Sequence, residues 1–445
     1  MKITDPSSVP STADFHQSLP DLQPVAQAAR RDVVVIGAGV VGMSSALWLQ
    51  RAGHRVMVCD SHPPVPGQPY DAAASYGNAC TLAYAACLPV SMPGMALQVP
   101  GMLLDSSGPL TLFWRDLFRM TPWLWAFLKA GRTSEFDRIV RQLGLLLRLA
   151  EAGHAPLMQQ AGLTHLVRRT GCMYLYRSES QFNESRLGYE ARLSQGVRME
   201  VLNADAIRDL EPGLAPLYAK GLRFLDTTTL DNPHQYLMGL ARDFVARGGR
   251  LVKAKVDGVI SEGSGLVVRG GGQTLAVGER VVLAAGAWSR DMAKRFGDDI
   301  LLDTERGYHV TYPGSVGLLN QPVCYPEHAF YMTPLQDGLR AAGTVELGGL
   351  GQPVRPHRLE IIDRKARRLL PGLGPSGSTW LGYRPSMPDS LPAIGPSVRD
   401  SRLIHAFGHG HIGLTLGGLT GRLVAELVSE QPTSIDLAPL APHRF

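Results

Sequence analysis

Gly37, Gly39 and Gly42 stand directly behind an apolar, β-branched run, Val33 to Ile36, and an acid, Asp60, follows about twenty residues later. Residues of these types at this spacing can hold a pyrophosphate. Gly37 permits a tight turn out of a strand, and Gly39, lacking a Cβ, lets a phosphate approach the backbone. Gly42 lets the next helix lie close on the sheet, with Ala46 keeping the same face small one turn later. The free N–H groups and dipole at the start of that helix attract the anion, and Asp60 is placed to accept from a ribose hydroxyl. A second glycine-rich helix start, Gly408-His409-Gly410-His411 leading to Gly413, Gly417 and Gly421, is suited either to stabilising negative charge on a ligand or to close helix packing.

The elements needed to position these groups are legible around them. Strand Val33–Ile36, a helix running to Arg51 and stopping at Gly53, and strand Val56–Cys59 make a dinucleotide-binding βαβ unit. Ala72 to Tyr84 reads as a small, polar loop that suits phosphates or a ring equally with plain surface. Leu110 to Lys129, rich in Phe and Trp and broken by Pro122, predicts two core-packing helices in preference to a basic, aromatic face at a membrane interface. A long helical pattern covers Glu135 to Gly162, and a β-rich stretch opens near Leu166. Asn232 and Pro233 form a cap and first-turn pair for a helix to Ala246. Arg250 to Val256 and Val281 to Leu283 read as strands, the latter running into Ala284–Ser289 with Gly286 at a sharp turn. Several strand-like pieces then lie between Gly307 and Ala342.

Composition narrows the class. The 445 residues suffice for two domains, and a net charge of +5 from 44 basic and 39 acidic residues is too small and too dispersed for nucleic acid. Five cysteines with no C-x-x-C read as reduced thiols of a cytosolic protein, not as a disulfide framework or a zinc site; no metal-ligand spacing is visible. No stretch approaches the roughly 20 apolar residues of a membrane span. The proline-dotted residues 1–30 read as a loose leader and not a signal peptide.

Together the first βαβ unit, Ser75-Tyr76-Gly77-Asn78-Ala79, Ala284 to Trp288, Gly382 to Asp389 and Gly408 to Thr415 resemble the flavin-dependent amino-acid oxidoreductases of the D-amino-acid oxidase superfamily, bacterial D-amino-acid dehydrogenases in particular. The resemblance spans Arg31 to the last helix. It implies an α/β fold in which a Rossmann-like FAD-binding domain (31–88, 200–290 and 385–445) is interleaved with a mixed β-sheet substrate domain (89–199 and 291–384). FAD would be bound noncovalently, since the cysteine that links the flavin in sarcosine-oxidase-like relatives has no counterpart between Ala406 and Leu416. Its pyrophosphate would lie on Gly37, Gly39, Val40, Val41 and Gly42, its ribose on Asp60 and its adenine near Val256. Ser75, Asn78, Ala79, Ala285, Gly286 and Trp288 would line the phosphate and ribityl chain. Gly410, His411, Ile412, Gly413, Leu414 and Thr415 would bring a helix start to the flavin C2 carbonyl.

The resemblance also implies that Arg384, in Gly382-Tyr383-Arg384-Pro385, grips a substrate carboxylate, as a planar guanidinium can through two parallel hydrogen bonds. A structural pair with Asp389 is the rival role. Tyr84, Arg306, Tyr308, His309 and Tyr331 are further candidates for the substrate end. The implied reaction is hydride transfer from Cα of a D-amino acid, D-proline and hydroxyproline among the options, to flavin N5, with electrons passing to a quinone or carrier. A glycine- or sarcosine-type oxidase releasing hydrogen peroxide and an electron-transfer subunit are the alternatives. The absence of lysine between Arg295 and Arg364 leans toward a dehydrogenase. The expected location is cytoplasmic, with peripheral contact at the inner face of the membrane as a further expectation.

Overall fold

The computed structural model describes residues 15–67, 70–95, 110–112 and 117–445. Residues 1–14 of the leader, and Phe113, Trp114 and Arg115 of the aromatic stretch, lie outside them. Strand Asp32–Ile36 is buried from its second residue on, as its run of β-branched residues requires. It lies at the centre of a six-stranded sheet ordered Arg250–Lys253, Arg55–Asp60, Asp32–Ile36, Arg280–Leu283, Leu403–Phe407, Ala393–Pro396. The first five strands are parallel and the last is antiparallel. The chain therefore leaves the centre in opposite directions on either side of Asp32–Ile36, and a ligand crevice is expected beyond the carboxyl ends of the strands at that reversal.

Helices Val40–Arg51, Thr133–Gln160, Pro233–Ala246 and Gly413–Val428 contribute to the largest apolar core. Gly413–Val428 approaches its neighbours at backbone distance. A Cβ on Gly418 would fall 2.6 Å from the Gly153 carbonyl carbon, and one on Gly421 would fall 2.5 Å from that of Ser44. The Trp48 indole donates to the Gly153 carbonyl at 3.0 Å and closes the same seam. Asn232 caps Pro233–Ala246 by accepting from the Gln235 amide at 3.0 Å.

The second sheet has nine strands and a mostly antiparallel order: Thr379–Ser386, Asp303–Pro313, Gly338–Leu347, Phe330–Leu335, Val323–Tyr325, Cys172–Tyr176, Lys220–Phe224, Met199–Asn203, with Leu110–Leu112 paired to Gly338–Leu347. It differs from the expected partition in two places. Strands Met199–Asn203 and Lys220–Phe224, expected with the dinucleotide domain, pair with each other and with Cys172–Tyr176, so they extend this sheet. Helix Thr133–Gln160, expected with the substrate domain, lays its apolar stripe from Phe136 to Met158 largely on the first core, because Gly153 admits Gly413–Val428.

The aromatic stretch also differs. Leu117–Ala130 is one helix that passes through Pro122. So near the start of the helix, the missing N–H removes only the bond to Phe118. Met120 and Trp123 are buried, whereas Phe118 is 90% and Trp125 59% exposed, so the two expected roles fall on opposite faces of this helix. All five cysteines are free and buried.

Candidate active site

A cavity of about 470 Å³ opens at the carboxyl ends of the parallel strands and runs to the edge of the large sheet. At one end its wall is the glycine turn. Gly37 has φ +106°, and a Cβ on it would lie 2.4 Å from the Ala284 carbonyl oxygen. One on Gly42 would lie 1.9 Å from the Gly37 oxygen, so the helix can start here only without a side chain at either position. A Cβ on Gly39 would meet nothing nearer than Ser75 Oγ at 3.9 Å, leaving that face open to a ligand. The N-cap residues Gly39 and Ile412 supply no capping side chain, Ser75 Oγ accepts from the Val40 amide at 3.4 Å, and both helix starts face the cavity. Two helix N-termini facing one cavity, with open backbone at Gly39 and only the Val40 amide engaged by a side chain, make an anion cradle, so these residues fit an extended dinucleotide pyrophosphate.

Asp60 does more than the sequence suggested. Its Oδ2 accepts from the Ala38 amide at 2.7 Å and its Oδ1 from the His62 amide at 2.7 Å. The carboxylate thus braces the turn while lining the cavity, and each oxygen keeps a lone pair for a ribose hydroxyl. All of the expected cofactor residues except Gly42, Ile412 and Thr415 lie on this wall. Gly42 acts from behind the turn. Ile412 is buried, and Thr415 Oγ1 accepts from the Ala83 amide at 2.9 Å.

The other end is built from side chains. Strands Asp303–Pro313 and Thr379–Ser386 pair so that Glu305 faces Arg384 and Gly307 faces Gly382. A Cβ on Gly307 would fall 2.1 Å from the Arg384 guanidinium, which therefore lies across that glycine on the cavity wall. Arg384 donates to the Thr344 carbonyl at 3.3 Å. Thr344 has φ +64° where the register shifts between Asp303–Pro313 and Gly338–Leu347, a bulge that aims its carbonyl at the arginine. The rival role for Arg384 is filled by another residue: Asp389 is held by Arg444 at 2.7 Å.

Glu305 is buried beneath this arrangement and accepts from His411 Nε2 at 2.6 Å. Burial alone pushes its carboxyl up, but the His411 hydrogen bond and charge, and the Arg384 charge, more than offset this and hold it below its usual range. Burial pulls Arg384 down, and Glu305 opposes that. One carboxylate therefore hydrogen-bonds the imidazole and stabilises the guanidinium through its charge.

The remaining sequence candidates are not brought to the wall. Strand alternation turns Arg306 and Tyr308 to the opposite face from Glu305 and Gly307. There Tyr308 donates to Glu346 at 2.8 Å and is pushed up to about 12 by burial, while Arg306 donates to the Pro353 carbonyl at 2.7 Å. His309 lies on the correct face but one pair further along. Its Nδ1 is 2.9 Å from the Gly77 carbonyl oxygen and Trp380 stacks on its ring at 5.2 Å. Tyr331 pairs its hydroxyl with that of Tyr174, and Tyr84 is buried against the His16 ring at 4.5 Å. Glu305 was missed, although its period-two relation to Gly307 and Arg384 could have indicated it. Tyr383 and Lys255, also on the wall, carried no distinguishing sequence signal.

A family model described as FAD dependent oxidoreductase (DAO) matches residues 32–427. A protein named D-amino-acid oxidase from Bradyrhizobium diazoefficiens is 38% identical over 424 residues, covering 93% of this chain and 99% of that one. A D-amino acid dehydrogenase from Sinorhizobium medicae is 30% identical over 431 residues, covering 93% and 99%. The crystal structure of glycine oxidase from Geobacillus kaustophilus superposes with a TM-score of 0.70 at 22% identity, covering 94% of this chain and 99% of that chain.

Proposed function

The chain belongs to the DAO family of FAD-dependent oxidoreductases, and from that premise we propose that it oxidises D-amino acids at Cα and passes the electrons to a quinone or other carrier. The names of the two relatives support the substrate class. When bound, FAD supplies the acceptor for the Cα hydride. The protein's own part is to place the substrate. Arg384 takes the carboxylate in a two-pronged pair; its guanidinium lies across Gly307, bonded to the Thr344 carbonyl and stabilised by the Glu305 charge. The start of Gly413–Val428 and the neighbouring His411, bonded to Glu305, would place hydrogen-bond donors and the helix dipole where they stabilise negative charge on the reduced cofactor. The substrate loses a hydride from Cα and a proton from nitrogen; water then converts the imino acid to a 2-oxo acid and ammonia.

The observation that carries this reading is Arg384 lying across Gly307 on the cavity wall, bonded within the protein at 3.3 Å. D-Proline and hydroxyproline remain within the proposed substrate range, since a secondary amine can undergo the same oxidation. Anaerobic addition of D- and L-amino acids, glycine, sarcosine and prolines to the purified flavoprotein is the test: bleaching of the flavin bands by D-amino acids is expected. Bleaching by none of them would leave the electron-transfer subunit as the better description. The 38% identical relative is named an oxidase, which favours oxygen as a second acceptor. Admitting air to the reduced protein decides between them, since rapid return of colour with hydrogen peroxide identifies the oxidase.

The exposed Phe118 and Trp125 support a peripheral membrane contact at the inner face, where a lipid-soluble acceptor would be met. Among the described residues no helix is long and apolar enough to cross a membrane.

A further inference from the structure

Outside the cavity, three segments distant in sequence bring Asp298, His405 and His443 together. Asp298 follows helix Ser289–Phe296 just after Gly297, His405 lies in strand Leu403–Phe407, and His443 belongs to the final turn of the chain. His405 Nε2 lies 2.7 Å from Asp298 Oδ2, and His443 Nε2 lies 3.4 Å from Asp298 Oδ1. One ligand atom from each residue falls within 4.8 Å of the others. The Asp298 and His405 side chains are fully buried, while His443 is 26% exposed and forms the outer wall.

Two features of the cluster are unexplained by protein contacts alone. Asp298 Oδ1 and His443 Nε2 are buried and make no hydrogen bond, although they face each other. The buried carboxylate forms ion pairs only with imidazoles, beside a hydrogen bond from the Ser397 hydroxyl; among the described residues no lysine or arginine forms an ion pair with it. A carboxylate removed from water without a fixed cation is costly. Nothing accepts from or donates to His405 Nδ1, so its proton can sit there and leave Nε2 as a lone-pair donor.

We infer that Asp298, His405 and His443 form a three-ligand site for a zinc ion, with water in the fourth position. Two imidazole nitrogens and one carboxylate oxygen suit zinc and disfavour hard cations such as magnesium and calcium. With metal–ligand bonds of about 2.0–2.2 Å, tetrahedral ligand atoms stand about 3.4 Å apart. The two pairs use different oxygens of Asp298, Oδ1 toward His443 at 3.4 Å and Oδ2 toward His405 at 2.7 Å; one ligand atom from each residue lies within 4.8 Å of the others, so the side chains would have to adjust by up to about 1.4 Å around a bound ion. The ion would tie the end of the chain to the strand whose next residues, Ala406 and Phe407, line the cavity.

The test is zinc binding to the holoprotein, followed by competition with a chromophoric chelator and by thermal unfolding. One zinc per chain is expected, with a rise in the unfolding temperature of several degrees. His443→Ala, at the outer wall, should keep its flavin and activity, weaken zinc binding at least about tenfold and lose the zinc-dependent rise. Asp298→Asn, which keeps a group that can hydrogen-bond to His405, provides a second variant. Absence of stoichiometric zinc in the unaltered protein, or zinc binding that survives unchanged in a folded variant, would overturn the assignment and leave a hydrogen-bonded cluster only.

Discussion

At the Gly37–Gly42 end the cavity wall is backbone; at the Arg384 end it is side chain. The first end is made largely within one βαβ unit, and its features are absences: no Cβ at Gly37 or Gly42, and no side chain on Gly39, the N-cap of the helix that follows. The second is made where Asp303–Pro313, Gly338–Leu347, Thr379–Ser386 and the start of the last helix meet, and its features are charges held in place by neighbours. A backbone cradle can accept any dinucleotide pyrophosphate. On the proposed reading the side-chain end would select what is oxidised, because the position of one guanidinium depends on its surroundings: the Glu305 charge, Gly307 and the Thr344 bulge.

If that contrast is correct, the largest effect should come from the backbone end. Gly37→Val places carbon against the Ala284 carbonyl in a left-handed conformation. It should cost about 3 kcal/mol and yield protein without flavin. A full flavin spectrum after purification would show that the turn can relax. Arg384→Ala should do the reverse, keeping the flavin while raising KM for amino acids roughly 100-fold, equivalent to about 3 kcal/mol. Arg384→Lys should recover only part of this, since an ammonium lacks the two-pronged geometry. Equal losses with amines that carry no carboxylate would break the assignment.

Acid should act on the side-chain end. His309 and His409 are held down to about 3, in both cases by burial. Between an ordinary value of 6.5 and about 3 the unfolded chain binds protons that the folded chain does not, so stability falls as pH drops through that window. Each group contributes up to about 1.4 kcal/mol per pH unit. Urea midpoints that stay constant from pH 7 to pH 5 would contradict this.

Glu305→Gln should slow anaerobic flavin reduction roughly tenfold, or about 1.4 kcal/mol, with flavin retained. Glu305 is held below its ordinary value of 4.5, so its contribution is present above that pH and fades as pH falls through the lowered value. The variant should therefore lose that part of the acid dependence; an unchanged rate and pH profile would reduce Glu305 to packing. His309→Gln and Tyr331→Phe are expected to change kcat/KM least, by less than about threefold (below 1 kcal/mol), because neither lines the cavity. A large rise in KM for either would move the substrate end away from Arg384.

The difference in legibility follows the same division. Val33 to Asp60 declares its fold locally: β-branched residues, three glycines at fixed offsets and a terminal acid each have one physical use, and all lie within one unit. The strand–turn–helix order and a dinucleotide site were therefore available from residue order alone, and the family and FAD from the resemblance that further motifs along the chain carry. The motif around Arg384 identified the arginine but not what holds it. Tyr308 and His309 were candidates while Glu305 was not, until strand pairing turned Tyr308 to the other face, since one residue's displacement along a strand reverses the side, and placed His309 one pair further along against Gly77 and Trp380. The placement of Met199–Asn203 and Lys220–Phe224 in the large sheet, the Thr344 bulge, and the meeting of Asp298, His405 and His443 share that origin. Sequence determined the features that a single backbone turn can encode. Tertiary structure decided those that depend on register and on contacts between distant segments, because neither exists until the sheets have paired.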